Sequence, residues 1–243
     1  MNLLVDLGNT RLKWAIARGP VVQPGQALLH GQQGDIREAL CSQWQNLPRP
    51  ARAAIASVAS ADLLEQVRCT IHLLWPGLEV IQPQPQAHAH GVSNAYRQPE
   101  KLGVDRWLTL LAVRRYHHLP ACVVDCGTAI TIDMLNAQGR HLGGMIAPGL
   151  TLMRKSLIQG TEALHSFQDE FTVGLANSTE VAICNGALFA AVGLLEAVID
   201  RQRQEMLLLL TGGDARYIAG NTNLAFVIEP DLVLQGLTVI LQD

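Results

Sequence analysis

The sequence predicts an α/β protein built from two related halves, and two observations carry that prediction. Strand-like patterns alternate with helical ones along the whole chain. In addition, one strand–turn signature occurs twice. Leu4-Val5-Asp6-Leu7-Gly8-Asn9-Thr10 lies near the start and Val123-Val124-Asp125-Cys126-Gly127-Thr128 near the middle. Each is an apolar strand ending in Asp-x-Gly, with a threonine in the turn that leads to another strand. Self-similarity at about half the chain length marks a duplicated domain. The composition supports it: of 243 residues, 49% are hydrophobic and 16% charged, enough apolar material for a sizeable core.

Taken in order, Leu3–Val5 and the alternating run Arg11–Ile16 form a β-hairpin around the first Asp-x-Gly turn. A Walker-type phosphate loop leads into a helix instead, so this turn is of a different kind. Residues 35–47 read as a helix, with Asp35 as N-cap and Pro48 and Pro50 ending it. Ala53–Val58 is a short buried strand, Asp62–His72 a helix, Leu78–Ile81 a strand and Pro83–Gly91 a loop. Pro99–His118 gives one long amphipathic helical pattern, with Leu102, Trp107, Leu110, Leu111 and Val113 on its apolar side. A boundary after His118 divides the chain into domains 1–118 and 119–243. The second half restarts with strands at Ala121–Val124 and Ile130–Met134. Gly143–Gly149 is a glycine-dense turn leading to a helix over Thr151–Ile158. A long apolar helix over Ile183–Ile199 and a strand at Met206–Leu210 follow, the strand running into Thr211-Gly212-Gly213-Asp214.

Several function classes are disfavoured. The net charge of −3 lacks the basic excess that phosphate neutralisation demands of a nucleic-acid binder. No apolar run of about 18 residues is expected, hence no membrane span. The start, MNLLVDLGNT, has neither a basic n-region nor an amphipathic transit pattern. Five scattered cysteines without a CxxC pair suit reduced thiols in a cytoplasmic protein. His88, His90, His117 and His118 lack a third metal ligand at a fitting spacing.

The chemistry concentrates in the turns. Glycine permits close backbone approach, and N–H groups in a tight turn form an anion-binding nest. A neighbouring carboxylate cannot bind phosphate, but it can hold a cation or orient a water beside one. Two such turns could therefore grip a nucleoside triphosphate. Either alone is equally a plain Asp/Gly turn, and Thr211-Gly212-Gly213 alone is a plain strand-to-helix turn. Gly103-Val104-Asp105-Arg106 falls inside a helical pattern, where glycine costs about 1 kcal/mol relative to alanine and so invites a reason. There Asp105 could act as a base toward an alcohol and Arg106 could hold a carboxylate or amide oxygen. The alternative is a solvated charged face.

The ordered set is more specific than any part. Asp6-x-Gly8-Asn9-Thr10, Tyr96…Pro99…Gly103-x-Asp105-Arg106-Trp107, Asp125-x-Gly127-Thr128-Ala129-Ile130-Thr131 and Gly143-Gly144-x-Ile146-x-Pro148-Gly149 resemble the type III pantothenate kinases. Thr211-Gly212-Gly213 and Pro230-Asp231-Leu232-Val233-Leu234-x-Gly236-Leu237 fit as well, so the resemblance covers nearly the whole chain. It implies the acetate and sugar kinase, Hsp70 and actin superfold, an α/β fold of two duplicated ribonuclease-H-like domains with a nucleotide cleft between them. It implies transfer of the ATP γ-phosphate to the pantothenate hydroxyl, the first step of coenzyme A biosynthesis. It also implies Mg2+, a monovalent cation such as K+ or NH4+, and a homodimer. Under the resemblance Asp6, Gly8, Asn9, Thr10 and Lys13 form the first nucleotide loop, and Gly127 and Thr128 the second. Asp125 is the potassium ligand and Asp105 the general base. Tyr96, Gly103, Val104, Arg106 and Thr179 bind pantothenate. Ser178 departs from the family's usual Asn, and His165 stands after Leu164 where proline is common. Two other readings stay open: a regulatory member of the same family named as an accessory transcription factor, and another small-molecule kinase or a phosphatase of the superfold. Intact Asp6, Asp105, Arg106 and Asp125 favour a working enzyme.

Overall fold

A computed structural model of the chain describes residues 1–30, 36–159, 174–202 and 204–242. The chain forms two compact units. One comprises Met1–His117, Gly139–His141 and Asp231–Asp243, the other His118–Gln138 and Leu142–Pro230. The expected boundary at 118/119 gave the last residues to the second half, whereas by contact Asp231–Asp243 belongs to the first unit.

In the first unit, β1 (Asn2–Leu7) and β2 (Arg11–Arg18) form the expected hairpin. Short strands β3 (Val21–Pro24) and β4 (Leu28–Leu29) both pair with β2. Helix α1 (Ile36–Trp44) follows; Asp35, the expected N-cap, lies outside the described residues. Next come β5 (Ala53–Ser57), parallel to β1, and α2 (Ala61–Leu74), capped by Ser60 through Leu63 N–H. Strand β6 (Val80–Ile81) completes the order β3-β2-β1-β5-β6. Leu3, Val5, Leu7, Leu12, Ile55, Val67 and Ile71 fill one core with Trp14, Trp44 and Trp75. Pro83–Gly91 is not wholly a loop: β7 (His88–Ala89) pairs with β8 (Val92–Ser93).

The expected long helix from Pro99 is two elements, a 3₁₀ turn at Pro99–Lys101 and α3 (Val104–Tyr116). Gly103 is therefore the residue before the helix, not a helix-interior glycine. A Cβ there would sit 2.5 Å from Asp105 Oδ1, which explains the glycine sterically.

In the second unit, β9 (Ala121–Cys126) and β10 (Ala129–Leu135) form a hairpin around the second Asp-x-Gly turn. The glycine-dense segment is a strand rather than a turn, β11 (His141–Pro148), placed at the sheet edge beside β10. Helices α4 (Leu150–Gln159) and α5 (Thr179–Asp200) precede β12 (Leu207–Thr211), α6 (Ala215–Ala219) and β13 (Val227–Ile228). The order β11-β10-β9-β12-β13 repeats that of the first sheet, with the parallel pair again next to the strand that carries Asp-x-Gly. The duplication inferred from two short motifs thus extends to whole sheets.

Helix α5 corrects one expectation. It is 22 residues long with a mean hydropathy of 2.0 in its most apolar window, long and apolar enough to cross a membrane. Its Ala187, Leu188, Ala191, Leu195 and Val198 are buried with Val124, Ile132 and Leu210 in the second core, so its apolarity serves packing against the sheet.

The last helix, α7 (Leu232–Leu241), packs in the first unit. Thr238 meets Tyr116 of α3 at 2.9 Å, and Arg52 donates to the Leu241 carbonyl. At Gly236 a Cβ would run into the Leu108 backbone carbonyl, so only glycine lets α7 approach α3 this closely. Gly236→Ala should lower unfolding stability by about 1–3 kcal/mol through overpacking, measured by urea denaturation.

Candidate active site

The first-unit turn is pinned from three sides. Gly8 N–H donates to the Arg11 carbonyl at 3.0 Å, and Leu7 C=O accepts from Val58 N–H at 3.1 Å. His30 Nε2 donates to the Gly8 carbonyl at 2.8 Å. Asn9 and Thr10 lie exposed at the tip, and Asp6 stands opposite Lys13 across the hairpin. The turn follows the carboxyl end of β1, which runs parallel to β5. Ligands in open α/β sheets bind at that end. Asp6, Gly8, Asn9, Thr10 and Lys13 are therefore brought together as expected. His30 was missed, for nothing in its local sequence marks it.

A second group in the same unit gathers at the start of α3. Arg106 is 5% exposed, and its Nη1 donates to Tyr96 Oη at 2.8 Å. The guanidinium carbon lies 5.7 Å from the centre of the Tyr96 ring. Asp105 Oδ1 accepts from Arg106 N–H at 2.8 Å. This places the carboxylate in the first helical turn, where the helix's partial positive charge favours an anion. Val104 is buried beside it. Tyr96 is oriented by Asn94, whose Oδ1 accepts from Tyr96 N–H at 3.0 Å, and by the stacked ring of His141, 6.2 Å away at 16°. Tyr96, Gly103, Val104, Asp105 and Arg106 thus form one cluster: a carboxylate at a helix start beside a guanidinium held by a phenol. Such a cluster can take a proton and hold a polar or anionic acceptor.

In the second unit Asp125 lies opposite Thr131 on β10 and Thr211 on β12. Gly127 N–H donates to Ala129 C=O at 3.1 Å, closing the turn, and Thr128 is exposed. The Thr211-Gly212-Gly213 segment does lead to a helix, yet it is more than a plain turn. Gly212 has φ +92, and a Cβ there would lie 2.5 Å from Asp125 Oδ1 and collide with the Cys126 carbonyl. Asp214 N–H donates to that same carbonyl at 3.0 Å. Gly149 is equally constrained: its N–H donates to Thr128 C=O at 3.0 Å, and a Cβ would strike the Gly127 carbonyl. Bare backbone therefore surrounds the Asp125 carboxylate and the Gly127–Thr128 turn. Thr179 is the exposed first residue of α5, and Ser178 caps that helix through Val181 N–H at 3.4 Å, a task serine performs as well as asparagine. His165 lies outside the described residues.

Hard oxygen donors around Asp125 suit a small cation, although no cluster of three metal-ligating side chains occurs among the described residues. The nearby thiols are unsuited to nucleophilic work. Burial pushes Cys122 up to about 12 and raises Cys126 further, with Asp133 and Asp125 respectively adding to the effect. Alkylation of the native protein at pH 8 should label exposed Cys69 and spare Cys122, Cys126 and Cys184, read by peptide mass mapping.

A family model described as type III pantothenate kinase matches residues 2–201, a span that includes both turns and the α3 cluster. The chain belongs to the type III pantothenate kinase family. A type III pantothenate kinase from Nitrosococcus oceani is 37% identical over all of this chain and 94% of its own length. Among solved structures, a Campylobacter jejuni protein described as a Baf family transcriptional activator superimposes with a TM-score of 0.63 at 22% identity, covering 99% of this chain and 97% of that one. The activator of 2-hydroxyisocaproyl-CoA dehydratase from Clostridium difficile, with bound ADPNP, gives 0.56 at 12% identity, covering 98% and 93%. At those identities the likeness concerns the fold, which is that of the sugar kinase, Hsp70 and actin superfold.

Proposed function

We propose that this chain is a pantothenate kinase, transferring the γ-phosphate of ATP to the hydroxyl of pantothenate at the start of coenzyme A biosynthesis. The observation that carries the reading is the Asp105–Arg106–Tyr96 cluster at the start of α3 in a chain of this family. Asp105 accepts the hydroxyl proton as the oxygen–phosphorus bond forms and the bond from phosphorus to the leaving ADP oxygen breaks. Arg106 holds the carboxylate or amide of pantothenate through charge-assisted hydrogen bonds from its guanidinium. Val104 and the bare Gly103 shape the pocket wall, and Thr179 supplies a hydroxyl to the substrate. Backbone N–H groups at Gly8–Thr10 and Gly127–Thr128, with Lys13, neutralise phosphate charge, the main demand of phosphoryl transfer. Asp6 and Asp125 are the carboxylates fit to hold Mg2+ and K+ or NH4+, and these cations supply charge neutralisation when bound. The protein acts in the cytoplasm. A purified-enzyme screen of ATP with pantothenate, sugars and acetate should show turnover of pantothenate alone. Preferred turnover of a sugar or acetate would overturn the reading.

Two further expectations follow from the same sites. Potassium or ammonium should raise the rate over sodium, and Asp125→Ala should remove that preference; equal rates of the wild type in the two salts would refute the cation role. The chain should also be a homodimer. Leu142, Met145 and Ile146 on edge strand β11 and Leu152 and Leu157 on α4 are all exposed, an apolar surface suited to a second copy. Light scattering at micromolar concentration should give twice the chain mass.

A further inference from the structure

We infer that His141 is a positioning residue for the acceptor pocket, setting the orientation of Tyr96 and, through it, of Arg106. The inference rests on the proposed function and deepens it. Tyr96 sits on a loop between β8 and the 3₁₀ turn, flanked by exposed Ala95 and Arg97, so no regular element fixes its ring. The ring is instead stacked at 16° on the imidazole of His141, which is wholly buried. Nδ1 of that imidazole accepts a long hydrogen bond, 3.5 Å, from Ala95 N–H, tying the backbone next to Tyr96 to the same residue.

The segment that carries His141 is itself built into place. Arg140 bridges Ser93, and Ser93 N–H donates to the Gly139 carbonyl at 3.1 Å. Gly139 has φ +80, and a Cβ there would collide with the Gly91 carbonyl, so a glycine is needed for this approach to the β7–β8 hairpin. Tyr96 thus touches both partners: its ring is stacked on His141, and the Arg106 guanidinium lies over that ring and is bonded to its hydroxyl. Aromatic pairs in such offset geometry hold each other's orientation. A histidine that only filled core space would leave acceptor binding untouched when replaced by another side chain that packs.

The test is steady-state kinetics of the full-length enzyme. His141→Leu should raise the KM for pantothenate about three- to tenfold, well beyond any change in the KM for ATP. His141→Phe, which keeps the stacked ring, should recover most of that loss. In a Tyr96→Leu background His141→Leu should add little, because the two changes remove one interaction. Should His141→Leu fail to fold by thermal unfolding, His141→Gln, which keeps a hydrogen-bond acceptor without the ring, takes its place beside His141→Phe. An unchanged pantothenate KM, equal shifts for both substrates, or a Phe variant no better than Leu would overturn the inference while the wild type still phosphorylates pantothenate. A wild type inactive on pantothenate would instead overturn the proposed function.

Discussion

Asp105→Asn should lower kcat by about 100- to 10,000-fold, the usual span for loss of a general base and equal to roughly 3–5 kcal/mol of barrier. Asparagine keeps the size of the side chain and an oxygen able to accept from Arg106 N–H, as Oδ1 does in the helix's first turn. The start of α3 should therefore survive, and so should Arg106 and Tyr96. Calorimetry of pantothenate binding should give an affinity near that of the wild type, while turnover collapses. A variant within about threefold of the wild-type kcat would show that the carboxylate is not the base.

Arg106→Ala should act on the other parameter. It should raise the pantothenate KM about 10- to 100-fold, the scale of a lost hydrogen bond to a charged group. Two effects combine in that number, since the guanidinium also braces Tyr96 through its hydroxyl and its ring. Tyr96→Phe separates them, because it removes the hydroxyl and leaves the ring under the guanidinium. Arg106→Lys should not rescue, because an ammonium lacks the planar fork that reaches phenol and substrate together. A KM unchanged in Arg106→Ala would remove Arg106 from the acceptor pocket.

What the sequence displayed and what it concealed divide along the range of the interactions involved. The β1–β2 hairpin was legible because two cycles of alternation stand directly after an Asp-x-Gly turn. The repeat at Asp125 was legible for the same reason, and the matching strand orders of the two sheets bear it out. Helix α3 was legible in its apolar face but not at its start. A 3₁₀ turn, a glycine and a helix give one continuous periodic pattern, and only the space taken by the Asp105 carboxylate tells them apart. Strand β11 was hidden because Gly143 and Gly144 carry none of the β-branched or aromatic signal of a strand; its pairing with β10 makes it one. His30 and His141 were invisible in principle. Each acts on a residue far along the chain, Gly8 and Tyr96, and no local periodicity records such a contact. The long apolar helix α5 was legible as a helix at Ile183–Ile199, but not as one long and apolar enough to span a membrane, because Asn185 and Glu196 interrupt the run of apolar residues while leaving its mean hydropathy high.

The membership of α7 in the first unit bears on how the protein is made. Ribosomes deliver the amino terminus first, and domains generally fold as they emerge. Here β1, β5 and α3 leave the ribosome early, yet the helix that covers them, with Gly236 against Leu108 and Thr238 against Tyr116, is synthesised more than a hundred residues later. The first unit must wait, incomplete, while the whole of the second is translated. Closing contacts between residues more than a hundred positions apart is entropically slow. A released chain ending at Pro230 should therefore hold a protease-resistant second unit and a protease-sensitive first one, and restoring Asp231–Asp243 should protect both.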